Sequence, residues 1–306
     1  MQDNFDEVLT FPDRDLKARY DALVGLDPIK ERLEKEAEIL FRPDLVEEWS
    51  KKHHGSVLPA VKLLQRRPPL FIFAGDVGTG KTELATTFGD KIAREAKLNI
   101  ELFPLSLRTR GQGSVGEMTQ LISNAFKFLR ERAPKQPRNG QKLQSASVLL
   151  IDEADAIAQS RELAQMHHED RAGVNALIRG IDEIAASKAL CLIIMCTNRL
   201  GAVDPAVQRR AAAIFEFKRP DSQLRLHLLE AQLGTSGLTR TDLISVAELL
   251  GETEGRPYGC TSSDIMQRFI PSLVLGAFPH SAITPTLLKD HAKVFIPTPP
   301  FRSNEN

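Results

Sequence analysis

The chain has 306 residues, with 40 Lys and Arg balanced against 40 Asp and Glu and 42% apolar residues. That composition supports a large core, shared between two domains at this length, and excludes a disordered chain. Zero formal charge leaves no global basic field for the backbone of a nucleic acid, and three cysteines without C-x-x-C spacing exclude a disulfide framework and a zinc finger. The longest apolar run, residues 190–196, falls far short of the roughly 20 residues of a membrane-spanning helix. With Asp3, Asp6 and Glu7 where a secretory signal would be basic and apolar, the expectation is a soluble, cytoplasmic protein.

Residues 1–22 are charged and read as an extended lead-in. A helix is predicted over 27–41, where Pro28 suits a first turn and Ile29, Leu33, Ala37 and Leu40 recur at helical spacing. Apolar runs then stand at 70–74, 100–105, 147–151, 190–196 and 213–217, with helical stretches at 83–96, 116–132, 154–165 and 170–186 between them. Continuous apolar runs mark strands buried on both faces, so the expectation is an α/β fold built on a five-stranded, open, parallel sheet. The polar stretch 133–145, with Pro134, Pro137 and Gly140, reads as an exposed loop. Beyond Pro220 the pattern is helical throughout, over 222–233, 241–250, 262–276 and 285–293. The predicted division is therefore a lead-in at 1–22, an α/β domain at 23–219 and a small all-α domain at 220–306.

Between the first apolar run and its helix lies Gly75-Asp76-Val77-Gly78-Thr79-Gly80-Lys81-Thr82, a complete G-x-x-x-x-G-K-T. Glycines permit a tight loop whose N–H groups point at phosphates, the following helix adds its positive end, Lys81 reaches the terminal phosphates and the Thr82 hydroxyl suits Mg2+. The third run ends in Asp152-Glu153. Asp152 is placed to hold the magnesium shell and Glu153 to polarise a water against the γ-phosphate, so ATP and Mg2+ are the expected ligands. The fourth run ends in Asn198, an amide suited to orienting that water, and Asp204-Pro205 then leads to the doublet Arg209-Arg210.

In this order the residues resemble an AAA+ ATPase, over about residues 20–292. Asp21-Ala-Leu-Val24-Gly25-Leu26 is similar to the segment that packs on adenine, the glycine loop to Walker A, Leu149-Leu-Ile-Asp152-Glu153 to Walker B, Asn198 to sensor 1, and residues 204–210 to the arginine-finger region. The resemblance implies strand order 5-1-4-3-2, a helical lid over the nucleotide, and a homo-hexameric ring in which Arg210 or Arg209 serves the neighbouring subunit. Within the superfamily, residues 174–184 and the distance from Arg210 to Pro220 are similar to the pachytene-checkpoint AAA+ ATPases, which remodel HORMA-domain proteins. A short, neutral chain looks like their bacterial members, which accompany nucleotide-signalling antiphage systems.

Two departures from the pattern matter. The stretch 108–116, where a remodeller's pore loop is expected, has no aromatic residue and offers Arg108, Arg110 and Val115 instead. At 259–265 the pachytene group carries a sensor 2 arginine, whereas this chain has Asp264, with Arg268 one turn on. His167 and His168 fall where a second pore loop is expected, while His53-His54 and the cluster Lys62, Arg66 and Arg67 read as solvated surface and Cys191 and Cys196 as core. The leading reading is an ATP-driven remodeller that pulls on a partner protein; the alternatives are a DNA-linked AAA+ loader and a nucleotide-dependent scaffold. Neutral charge speaks against the first alternative, and Glu153 with the arginine doublet against the second.

Overall fold

The structure is a computed structural model, which describes residues 4–106, 117–135, 143–158 and 168–301. The chain forms two compact units: one comprises Met1–Ala22, Asp27–Ala74 and Thr82–Glu216, the other Leu23–Leu26, Gly75–Lys81 and Phe217–Asn306.

The first unit is organised by a sheet of β1 (Leu9–Phe11), β2 (Leu70–Gly75), β3 (Asn99–Pro104), β4 (Ser145–Ile151), β5 (Cys191–Thr197) and β6 (Ala213–Phe217). Their spatial order is β1-β3-β4-β5-β2-β6. The expected five-stranded, wholly parallel sheet of order 5-1-4-3-2 is thus corrected to a six-stranded mixed one. β1 pairs antiparallel with β3, with Leu9 opposite Leu102 and Phe11 opposite Ile100. Three residues are too few to display a period, and the acidic residues around them masked the two that are anchored. Phe11 is buried, and Phe5 packs its ring 5.4 Å from Phe103 and 5.2 Å from Phe128. Asp13 then caps the helix Arg14–Asp21, and its own N–H donates to the buried Asp90 carboxylate at 2.7 Å. The segment read as a lead-in is a strand and a helix because of these contacts.

Strand residues alternate between the sheet faces. Leu70, Ile72, Leu149, Ile151, Ile193 and Met195 share one core with the helices Glu117–Arg132 and His168–Ser187. Phe71 and Phe73 meet Phe215 edge-on instead, at 5.6 and 5.4 Å. β2, β4 and β5 are covered on both faces, which explains why they read as unbroken apolar runs. Arg67, from the supposed solvated cluster, donates to Glu36 and to the Ala212 carbonyl. The buried Cys191 thiol is pushed up to about 12 by desolvation and is a core filler.

In the second unit the helices Ser222–Leu233, Arg240–Leu249, Ile270–Ala277 and Pro285–Val294 enclose a core of Leu229, Val246, Ile265, Phe269 and Leu288, with Val24 packed on it. Asp221, Thr239 and Thr284 supply side-chain caps to three of these helices, as their positions before apolar periodic stretches predict. Asp264 is 1% exposed. Its carboxylate accepts from Thr261 N–H (3.0 Å), Thr298 N–H (3.0 Å), Thr298 Oγ1 (2.7 Å) and Arg268 Nη1 (2.7 Å). Burial pushes its pKa up, but the hydrogen bonds from Thr298, the Thr261 backbone and Arg268 outweigh it, and the net direction is down.

Candidate nucleotide site

The glycine loop belongs to the second unit. Gly75, Gly78 and Gly80 all have positive φ. At Gly78 (φ 75°) a side chain would be strained, and its Cβ would also come within 2.8 Å of Thr261 Oγ1. The loop is braced on that side, since Ser263 N–H donates to the Gly78 carbonyl at 3.0 Å. Inside it, the Thr79 hydroxyl donates to the Asp76 carbonyl at 2.7 Å, and Lys81 Nζ donates to the carbonyls of Gly75 (2.9 Å) and Asp76 (2.7 Å). Val77 is exposed. Gly25, also at positive φ, lies against Leu224, and Leu23 and Leu26 border Gly80, so the segment containing Val24 and Gly25 runs beside the loop.

Asp76 is further engaged by a residue that the motifs did not indicate. Arg219 donates to Asp76 Oδ2 through Nε (2.8 Å) and Nη2 (2.5 Å) and to the Gly259 carbonyl through Nη1 (2.6 Å). Its guanidinium lies 5.2 Å from the Tyr258 ring centroid.

The carboxylates belong to the first unit. β4 and β5 are parallel neighbours, as are β5 and β2, so Asp152, Asn198 and Ala74 stand at the same edge of the sheet. Thr82 Oγ1 donates to Asp152 Oδ2 at 2.9 Å, which puts a hydroxyl and a carboxylate oxygen side by side. That all-oxygen donor pair suits a hard cation such as Mg2+, which takes one or two protein ligands and keeps its remaining positions for water and phosphate. Glu153 is exposed and left-handed (φ 49°, ψ 42°), a conformation that costs on the order of 1 kcal/mol or more and clusters at active sites. Thr197 Oγ1 donates to Asp155 Oδ1 at 3.1 Å and accepts from Arg199 N–H at 3.0 Å, which pins the chain on both sides of Asn198.

The arginine doublet is split. Arg210 makes two hydrogen bonds to Asp182, through Nε (2.8 Å) and Nη2 (2.9 Å), and a third through Nη1 to the Ala206 carbonyl (2.9 Å). Arg209 is exposed and donates Nε to the Pro205 carbonyl at 3.2 Å. Arg268 is engaged by Asp264, Thr298 and the Ile296 carbonyl. Arg108, Arg110, Val115 and His167 lie outside the described residues.

Residues 71–219 match the ATPase family associated with various cellular activities (AAA). The chain is 51% identical over 297 residues to the CD-NTase-associated protein 6 of Escherichia coli (strain MS 115-1), covering 97% of this chain and 96% of that protein. The chain is an AAA ATPase of this group. This ATPase superposes on a chain of the E. coli MS115-1 HORMA:CdnC:Trip13 complex with TM-score 0.92 and 48% identity, covering 99% of each. It also superposes on the Rhizobiales Trip13 structure with TM-score 0.76 and 41% identity, covering 97% of this chain and 100% of that one. The AAA ATPase is thus closely related to bacterial Trip13 proteins. Among the described residues no helix is long and apolar enough to cross a membrane, and no three His, Cys, Asp or Glu side chains gather as a metal site.

Proposed function

We propose that this ATPase uses ATP hydrolysis to change the conformation of a HORMA-domain protein within a nucleotide-signalling antiphage system. The observation that carries the reading is the full-length likeness to a chain of the HORMA:CdnC:Trip13 complex. On this reading Lys81 binds the terminal phosphates, the N–H groups of residues 76–80 cradle them, Val24 and Gly25 flank the base, and Thr82 and Asp152 hold Mg2+. When bound, the cation neutralises charge on the phosphate oxygens. Glu153 takes the proton of the attacking water, and Asn198, held between Thr197 and Arg199, orients it.

The active species is a homo-hexamer in the cytoplasm, with residues 220–306 as the lid of an α/β domain to which β1 belongs. The arginine doublet serves the neighbouring subunit. What supports Arg209 as the residue that reaches out is its exposure, whereas Arg210 is held by Asp182 in its own chain. Arg108, Arg110 and Val115 grip an extended segment of the partner in the pore.

The test is ATP turnover of the purified protein alone and with its cognate HORMA protein, alongside the partner's conformational state resolved by ion-exchange chromatography. Partner-stimulated turnover with ATP-dependent conversion is expected. Turnover that ignores the partner, and instead responds to DNA with a steep salt slope, would favour the loader reading.

A further inference from the structure

We infer that Arg219 is a positioning residue for the nucleotide, which cancels the charge of Asp76 in the phosphate loop. The inference rests on the reading of residues 75–82 as the phosphate site. A carboxylate in such a loop is unfavourable for a polyphosphate ligand, since like charges repel most where water is scarce. Asp76 is nevertheless present, and its side chain is only 17% exposed, so solvent does little to screen it. Arg219, itself 15% exposed, turns two guanidinium N–H groups onto one carboxylate oxygen. The other oxygen accepts from Val77 N–H (2.9 Å) and Phe301 N–H (3.3 Å). The carboxylate therefore shapes the loop through Oδ1 while its charge is neutralised through Oδ2.

The same guanidinium donates to Gly259 and rests against Tyr258, just ahead of Thr261 and Ser263, which brace Gly78. Arg219 acts on the nucleotide only through Asp76 and the loop. This separates it from an arginine that touches phosphate, because an arginine needed only to offset a neighbouring carboxylate becomes dispensable once that carboxylate is neutral.

The experiment measures binding of a fluorescent ATP analogue, together with KM and kcat, for the parent, Arg219→Met, Arg219→Lys, Asp76→Asn and the double variant Asp76→Asn/Arg219→Met. Thermal melts check that each is folded. Arg219→Met should weaken binding by about tenfold or more, because it leaves a largely desolvated carboxylate unpaired. The loss should fall in KM, with kcat within about twofold, as expected for ground-state binding. Arg219→Lys keeps the charge but not the fork that reaches Asp76 and Gly259 together, and should fall between the parent and Arg219→Met. Asp76→Asn alone is the reference for the double variant, which should recover most of the loss relative to it.

A double variant as weak as Arg219→Met would overturn the inference in favour of direct phosphate contact. So would an Arg219→Met protein that binds like the parent. If Arg219→Met does not fold, Arg219→Gln alone and combined with Asp76→Asn take its place, and equal losses in the two rule out charge compensation. A parent that binds no ATP would remove the phosphate-site reading itself and this inference with it, an outcome distinct from the others.

Discussion

Replacing Asp264 with alanine removes one acceptor from four donors at once. Three of them, the N–H groups of Thr261 and Thr298 and the Thr298 hydroxyl, lose a carboxylate that is 1% exposed. A buried donor left without a partner costs about 1–3 kcal/mol, and part of that is regained as water enters the space, so a total near 3 kcal/mol is expected. In a chain of this size that lowers Tm by roughly 5 °C. Arg268→Ala deletes the fourth donor, whose side chain is 51% exposed, and should cost under about 1 kcal/mol.

The acid limb of the same experiment has a definite sign. The folded-state pKa of Asp264 lies below its ordinary value, so the stabilisation is complete above the unfolded pKa, near 4, and is lost as pH falls through the folded value. Melting curves of parent and Asp264→Ala should stand well apart at neutral pH and draw together below about pH 4. Because Ser263 ties this turn to Gly78, the variant should also raise the KM for ATP. Equal melting temperatures at neutral pH, or a gap that widens with acid, would refute the argument.

Glu153→Gln should bind ATP normally yet turn it over at least about 100-fold more slowly, since the amide cannot accept the proton; Lys81→Ala should instead lose nucleotide affinity. Specific activity should rise with protein concentration, and Arg209→Ala should cut kcat by roughly 1,000-fold while leaving binding intact. Arg210→Ala should behave differently, cutting kcat far less and costing under about 1 kcal/mol of stability, because the Asp182 it leaves is half exposed. Mixing Glu153→Gln with Arg209→Ala subunits should restore some turnover, and its absence would count against a finger supplied by the neighbour. Arg108→Ala with Arg110→Ala should preserve basal hydrolysis and abolish stimulation by the partner, read by titrating the HORMA protein into the ATPase assay.

The five apolar runs were legible as the strands β2 to β6: β2, β4 and β5 because both their faces are buried, β3 and β6 in spite of the more open Glu101 and Glu216. β1 was not, because its registration on β3 depends on Phe5 and Phe11 finding Phe103, Phe128 and the helix Gly89–Ala96, contacts far away in sequence. The glycine loop and the Asp152-Glu153 pair announce themselves through local spacing. The partners of Asp76, Thr197 and Arg210 do not: Arg219 lies 143 positions from Asp76, Asp155 meets Thr197 across 42, and Asp182 meets Arg210 across 28. Asp264, noticed as a departure, was legible as unusual but not as the acceptor that ties residues 296–298 to the turn at Thr261.

β1 has a practical consequence for anyone trimming the protein to its nucleotide-binding part. A cut before residue 23, the domain edge that motif spacing suggests, would strip the outer hydrogen-bonding row of β3 and bare Phe103 and Phe128 where Phe5 now covers them. An open edge beside exposed aromatic surface is a template for strand addition by another molecule. The shortened protein should retain every motif needed to handle ATP and yet precipitate or form irregular aggregates, and a loss of activity measured on it would report colloidal failure, with the chemistry at Glu153 left unimpaired.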